Sequence, residues 1–178
     1  MKKEIFALMA IVLFLSGAGL FWESLSNLRI PQVFQKPVVL AKMSIIPLGE
    51  AKSAGSTILK AQINFDSQEI AVGGVDALLK FDPVILKIGE IILNQDLFEQ
   101  LSFNREKEKE GLIKITGYLP KKLVNQVQIL ATLEVSRLNN QPTVLGLEFE
   151  KGKTNDSNLI SWQSPKDILG EVVPLKIQ

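Results

Sequence analysis

From residue 38 onward, apolar residues recur at every second position in short runs, separated by clusters of Gly, Pro, Asn and Asp. That is the pattern of strands with one buried face, punctuated by turns. The clearest run is Gly73 to Leu86. Val75, Ala77, Leu79 and Phe81 point one way, and Asp76, Leu78 and Lys80 point the other. The preceding Gly73-Gly74 marks a turn or a close backbone approach. Asp82-Pro83 ends the strand, because Pro83 has no N–H for a ladder and Asp82 can accept a hydrogen bond from the backbone just beyond. Val84-Ile85-Leu86 then returns to the same core.

The same reading predicts a first strand at Val38–Ile45, ended by Pro47 and Gly49, and a small-residue loop over Glu50–Ser56. A second strand spans Ile58–Phe65, with Leu59, Ala61, Ile63 and Phe65 inward. Another covers Leu86–Leu93, with Gly89 as a bulge. Gln95–Asn104 fits either a short helix or an irregular strand. The alternating charges of Arg105–Glu110 suit a solvated hairpin tip. Leu112–Tyr118 follows with Ile113 and Ile115 inward, then a loop at Pro120-Lys121-Lys122. Val127–Val135 places Ile129, Ala131, Leu133 and Val135 inward. Asn139 to Pro142 is a turn, Val144–Phe149 a strand, and Lys151–Asn158 a polar loop. Leu159-Ile160 and a final strand at Val172–Ile177 complete the chain. Many short strands at even spacing predict an all-β, antiparallel sandwich or barrel.

The first 22 residues break this pattern. Met1-Lys2-Lys3-Glu4 precedes an uncharged apolar run from Ile5 to Trp22. Basic residues ahead of an apolar helix are the layout of a secretory signal or a signal anchor. The run approaches the length needed to cross a bilayer, about 20 residues. Ser16-Gly17-Ala18 offers small residues for cleavage, whereas Leu20-Phe21-Trp22 carries the apolar run past them. Either way, residues 38–178 are expected outside the cytoplasm, membrane-anchored or secreted. Residues 23–37, broken by Pro31 and Pro37, read as a linker.

Composition narrows the function. The 178 residues carry 20 Lys and Arg against 19 Asp and Glu, a net charge of +1, with no clustered basic face for nucleic acid. There is no Cys, which excludes disulfides and thiolate chemistry, and no His, which removes the usual general base and the commonest zinc ligand. A catalytic role would fall to carboxylates. Glycoside hydrolysis needs two at a fixed separation; Glu134, Glu148 and Glu150 lie at outward strand positions and nothing pairs them. No enzyme, cofactor or metal site is expected. Asp82 reads as the cap of its Asp-Pro turn. Asn155-Asp156-Ser157-Asn158 lacks the Gly and closing acid of a calcium loop, so it reads as a loop bonding its own backbone. Tyr118, outward near a strand end, and Trp162, in a loop, are the aromatic rings available to a sugar ligand.

The strand ending in Phe81-Asp82-Pro83, followed by Leu86 and Ile88, resembles the third and fourth strands of bacterial cohesin domains and of related carbohydrate-binding modules. The similarity extends from about Val38 to the C-terminus, and Thr154–Asn158 is similar to the polar turn near the end of such domains. The resemblance implies a β-sandwich of cohesin or carbohydrate-binding-module type, jelly-roll-like. It further implies a sheet face that binds a partner module, a dockerin, which itself carries the calcium of the pairing. Cohesins place an Asn-x-Asp pair on that face just before the Asp-Pro turn; here Asp76 matches the Asp, and Gly74 stands at the Asn position. The expectation is a non-catalytic extracytoplasmic recognition module. Its partner would be a dockerin-type protein, meeting Asp76, Leu78 and Lys80, or a polysaccharide, meeting Tyr118 and Trp162. The alternative is a structural envelope domain without a soluble ligand.

Overall fold

The computed structural model describes residues 40–53, 56–123 and 127–178. The expected apolar helix at 1–22 and linker at 23–37 lie outside these residues. Among the described residues, no helix is long and apolar enough to cross a membrane.

Two sheets carry the domain. The first contains β1 (Ala41–Ser53), β2 (Ser56–Asp66), β4 (Leu86–Leu93), β7 (Val127–Arg137) and β10 (Leu169–Val173), in the spatial order β10-β1-β2-β7-β4. The second contains β3 (Val72–Lys80), β5 (Gln100–Asn104), β6 (Leu112–Leu123), β8 (Thr143–Leu147) and β11 (Leu175–Ile177), in the order β11-β8-β3-β6-β5. A short β9 (Asn158–Ser161) pairs with β3 beside the first half of that strand. The pairing is antiparallel except between β1 and β10, which run parallel.

Period-2 alternation translates directly into packing. Val75, Ala77 and Leu79 of β3 and Ile113 and Ile115 of β6 are at most 2 % exposed, and they meet Met43, Ile63 and Phe65 of the first sheet. Each large side chain buried this way contributes about 1.5–3 kcal/mol. The next inward position of β6 is Gly117, where the Phe98 ring and a Leu101 methyl occupy the space a Cβ would need. Phe98 in turn meets Phe65 edge to face at 6.3 Å.

The Asp-Pro turn is a corner that takes the chain from one sheet to the other. Asp82 Oδ1 accepts the Val84 N–H at 2.9 Å, and the Asp82 carbonyl accepts those of Ile85 and Leu86. Ile85 and Leu86 drop into the core, while Val84 stays 73 % exposed.

Several element boundaries differ from the sequence reading. β1 does not stop at Pro47. It continues past a bulge between Pro47 and Gly49 and pairs with β2 out to Ser53↔Ser56, so the loop expected at 50–56 is mostly a two-stranded ribbon. Proline is tolerated at such a bulge, where the ladder is already interrupted. Pro120 likewise sits within β6, beyond the last β5 pairing at Gln100↔Tyr118. A second bulge skips Leu130 in the β2–β7 register, so Leu130 is fully buried and Ile129 is turned outward at 39 % exposed. The ambiguous Gln95–Asn104 resolves into a turn carrying buried Phe98, then the edge strand β5. Val172–Ile177 is two strands, because Pro174 divides it and the halves join opposite sheets.

The charged tip is tied down more firmly than its solvated character suggested. The Arg105 guanidinium donates to the carbonyls of Ile88, at 3.1 Å, and Gly89, at the β4 bulge. It also pairs with Glu108 at 2.8 Å and lies over the Phe103 ring. This closes one side of the sandwich between the edge strands β4 and β5.

Candidate binding face

The outward residues of β3, β6 and β9 come together on the outer face of the second sheet. Cross-strand register sets Asp76 beside Thr116 on one flank and Asn158 on the other, and Leu78 beside Lys114. The Asp76 carboxylate is fixed from the β6 side: Thr116 Oγ1 donates to Oδ1 at 2.7 Å, and Lys114 Nζ lies 3.2 Å from Oδ2. Lys80 pairs with Glu148 at 3.4 Å, with both side chains largely exposed. Asp76, Leu78 and Lys80 therefore lie in a line down the middle of one face.

Tyr118 and Trp162 close one end of this face. Their rings are stacked, 6.3 Å between centroids and 26° between planes. Trp162 follows β9 and is pinned by its backbone N–H to the Ala71 carbonyl at 2.8 Å. It lies directly over Gly73, where a Cβ would be 3.1 Å from the indole and 3.2 Å from the Trp162 Cα. The close approach signalled by Gly73-Gly74 is thus the seat of this tryptophan.

The other end is walled by the loop over residues 148–157, which interrupts the strand edge beside β3 between β8 and β9. Its neck is closed by the Ser157 N–H donating to the Glu148 carbonyl at 2.9 Å. The β3 ladder is completed across the gap. Ser157 Oγ accepts the Leu78 N–H at 2.9 Å, and the Glu148 N–H donates to the Leu78 carbonyl at 2.8 Å. Asp156 accepts the Glu150 N–H, and Asn158 Nδ2 donates to the Asp156 carbonyl at 2.9 Å. Asp156, Ser157 and Asn158 are all buried, as a loop that satisfies its own backbone requires. Between this wall and the Arg105–Glu110 tip lies a cleft of about 260 Å³ and another of about 280 Å³, both floored by Leu78 and Leu112 and overhung by Lys107.

Each of the three glutamates considered in the sequence is engaged by a lysine. Glu134 lies on the first sheet and pairs with Lys60 at 3.4 Å. Glu148 is held by Lys80, and Glu150 by Lys153. The Glu150 hydrogen bond and charge raise the Lys153 pKa above its usual value.

All five residues singled out in the sequence, Asp76, Leu78, Lys80, Tyr118 and Trp162, fall on this one face. Sequence reasoning missed the residues that brace it. Lys114 and Thr116 were placed outward, but only the register sets them against Asp76. Ser157 was read as a loop residue, and its rung to Leu78 spans 79 positions.

The domain has the fold of cohesin modules. It matches a cohesin module from a Clostridium perfringens family 33 glycoside hydrolase with a TM-score of 0.61 and 12 % identity, covering 78 % of this chain and 96 % of that one. It matches a cohesin of Clostridium acetobutylicum with a TM-score of 0.58 and 18 % identity, covering 78 % and 90 %. A type II cohesin bound to an X-dockerin, from Acetivibrio cellulolyticus, gives a TM-score of 0.57 and 16 % identity, covering 77 % and 98 %. No protein-family model matches the sequence. No curated protein matches it either.

Proposed function

We propose that this chain is a non-catalytic docking module whose outer face on the second sheet takes a protein partner of dockerin type. The observation that carries the reading is the line Asp76, Leu78 and Lys80, set between two raised ends. A carboxylate held in place by Thr116 and Lys114 costs little to order on binding, and the neighbouring Leu78 offers apolar area to bury. Several cohesins of the same fold are bound to dockerins, which favours a protein over a polysaccharide for the middle of this face. The basic start and apolar run of residues 1–22 support an extracytoplasmic position, anchored or secreted.

The test is a pull-down with the full chain as bait against a panel of dockerin modules, including those of the complexes of similar fold. Capture by wild type, lost in Asp76→Ala/Leu78→Ala with circular dichroism and melting midpoint retained, supports the proposal. Equal capture by the double variant, or no capture of any dockerin, overturns it.

A further inference from the structure

The Tyr118–Trp162 end of the face differs chemically from its middle. An open cleft of about 350 Å³ is bordered by the two rings together with Ile160, Gln163, Ser164 and Pro165. No Asp, Glu, Lys or Arg borders it among the described residues, whereas charged groups surround Asp76 and the Leu78 floor. The two rings remain 46 % and 41 % exposed despite stacking on each other, so they are not absorbed into the core. Their position is built in advance. The Trp162 backbone is tied to Ala71 and seated on Gly73, and the following turn is fixed by the Gln163 N–H donating to Ser161 Oγ at 3.2 Å and the Ser161 N–H to the Lys166 carbonyl at 3.0 Å. The Tyr118 hydroxyl, the indole N–H, the Gln163 amide and the Ser164 hydroxyl have no hydrogen-bond partner among the described residues, and remain available to a ligand.

We propose that this cleft binds a neutral pyranose ring of a glycan. Aromatic faces carry partial negative charge, and the C–H groups on one face of a pyranose carry partial positive charge, so the sugar lies flat on such a surface. Its hydroxyls need neutral donors and acceptors around the rim, and the amide, hydroxyls and indole N–H provide them. An uncharged lining gives an acidic or sulfated glycan no counter-charge. The site is separate from the Asp76–Leu78 line, so a glycan and a protein partner would occupy different parts of one face.

The test is titration of the full chain with a panel of neutral hexasaccharides (gluco-, manno-, xylo- and galacto-configured), followed by calorimetry and by ligand-observed NMR saturation transfer. Expected is binding of at least one member, weakened at least tenfold in Tyr118→Ala and in Trp162→Leu, and unchanged in Asp76→Ala. Gln163→Ala, which leaves both rings in place, should weaken it several-fold, so the outcome does not depend on the aromatic variants folding. The proposal is overturned if no neutral hexasaccharide binds at millimolar concentration. It is equally overturned if binding survives loss of the rings, or if only a proline-rich control peptide or a sulfated glycan is retained. Because the docking assay is read with Asp76→Ala/Leu78→Ala and this one with the ring and Gln163 variants, the two can fail independently.

Discussion

Ser157 Oγ accepts the backbone N–H of Leu78 at 2.9 Å, standing in for a strand carbonyl where the edge beside β3 is interrupted. A side chain has replaced a rung, and it simultaneously holds the neck of the 148–157 loop against the sheet. Ser157→Ala leaves that N–H without its partner, at a cost of about 1–2 kcal/mol. Urea unfolding should show a lower midpoint at unchanged m-value.

Gly111 and Gly152 separate two contributions to a glycine's necessity. Both have positive φ, at 78° and 90°. A Cβ at Gly111 would lie 2.0 Å from the Phe81 carbonyl oxygen, while at Gly152 nothing lies within 4 Å. Gly152→Ala should cost about 1 kcal/mol, the conformational penalty alone. Gly111→Ala must also displace the backbone at the Asp82-Pro83 corner, and about 3 kcal/mol or more is expected. Thermal melts of the two variants test the contrast.

Arg105 joins the charged tip to the β4 bulge through two carbonyls. Arg105→Ala should destabilise by about 2 kcal/mol, in the range for hydrogen bonds to a charged group. Arg105→Lys should recover only part of this, since an ammonium cannot reproduce the planar fork. A guanidinium chloride series on the three proteins measures both differences.

The pH response follows from the absence of His and Cys. No side chain with an ordinary pKa between 5 and 8 exists to titrate, so the melting midpoint should be flat from pH 6 to 8. The exposed Lys153–Glu150 tie acts at higher pH. Its raised lysine pKa means its contribution is fully present below the usual value of 10.5 and is lost as pH rises through the folded-state value. A midpoint that moved across neutrality would contradict this account.

The inward-facing residues were legible in the sequence wherever a strand keeps strict alternation, as in Val75, Ala77 and Leu79, or Ile113 and Ile115. Asp82-Pro83 was legible because its hydrogen bonds are local. What escaped was set by register. The skipped Leu130 inverts Ile129, and nothing in Val127–Val135 itself signals a bulge imposed by β2. Pro47 and Pro120 looked like strand ends, yet each lies where the ladder is already irregular or unflanked. For the candidate face, period 2 placed Asp76, Leu78, Lys80 and Tyr118 outward, but the meeting of Tyr118 with Trp162 depends on β6 and β9 flanking β3, a non-local fact.

The division of the last strand at Pro174 has a kinetic consequence. β10 covers β1, whose residue Ala41 pairs with Leu169, and β11 covers β8 in the other sheet. During synthesis on a ribosome, β1 emerges early and must wait for almost the whole domain before its second neighbour arrives. Until then two strand edges, one in each sheet, stay open to other chains. Such long-range closure slows folding, and a stop codon that removes Leu169 to Ile177 would leave both edges open for good.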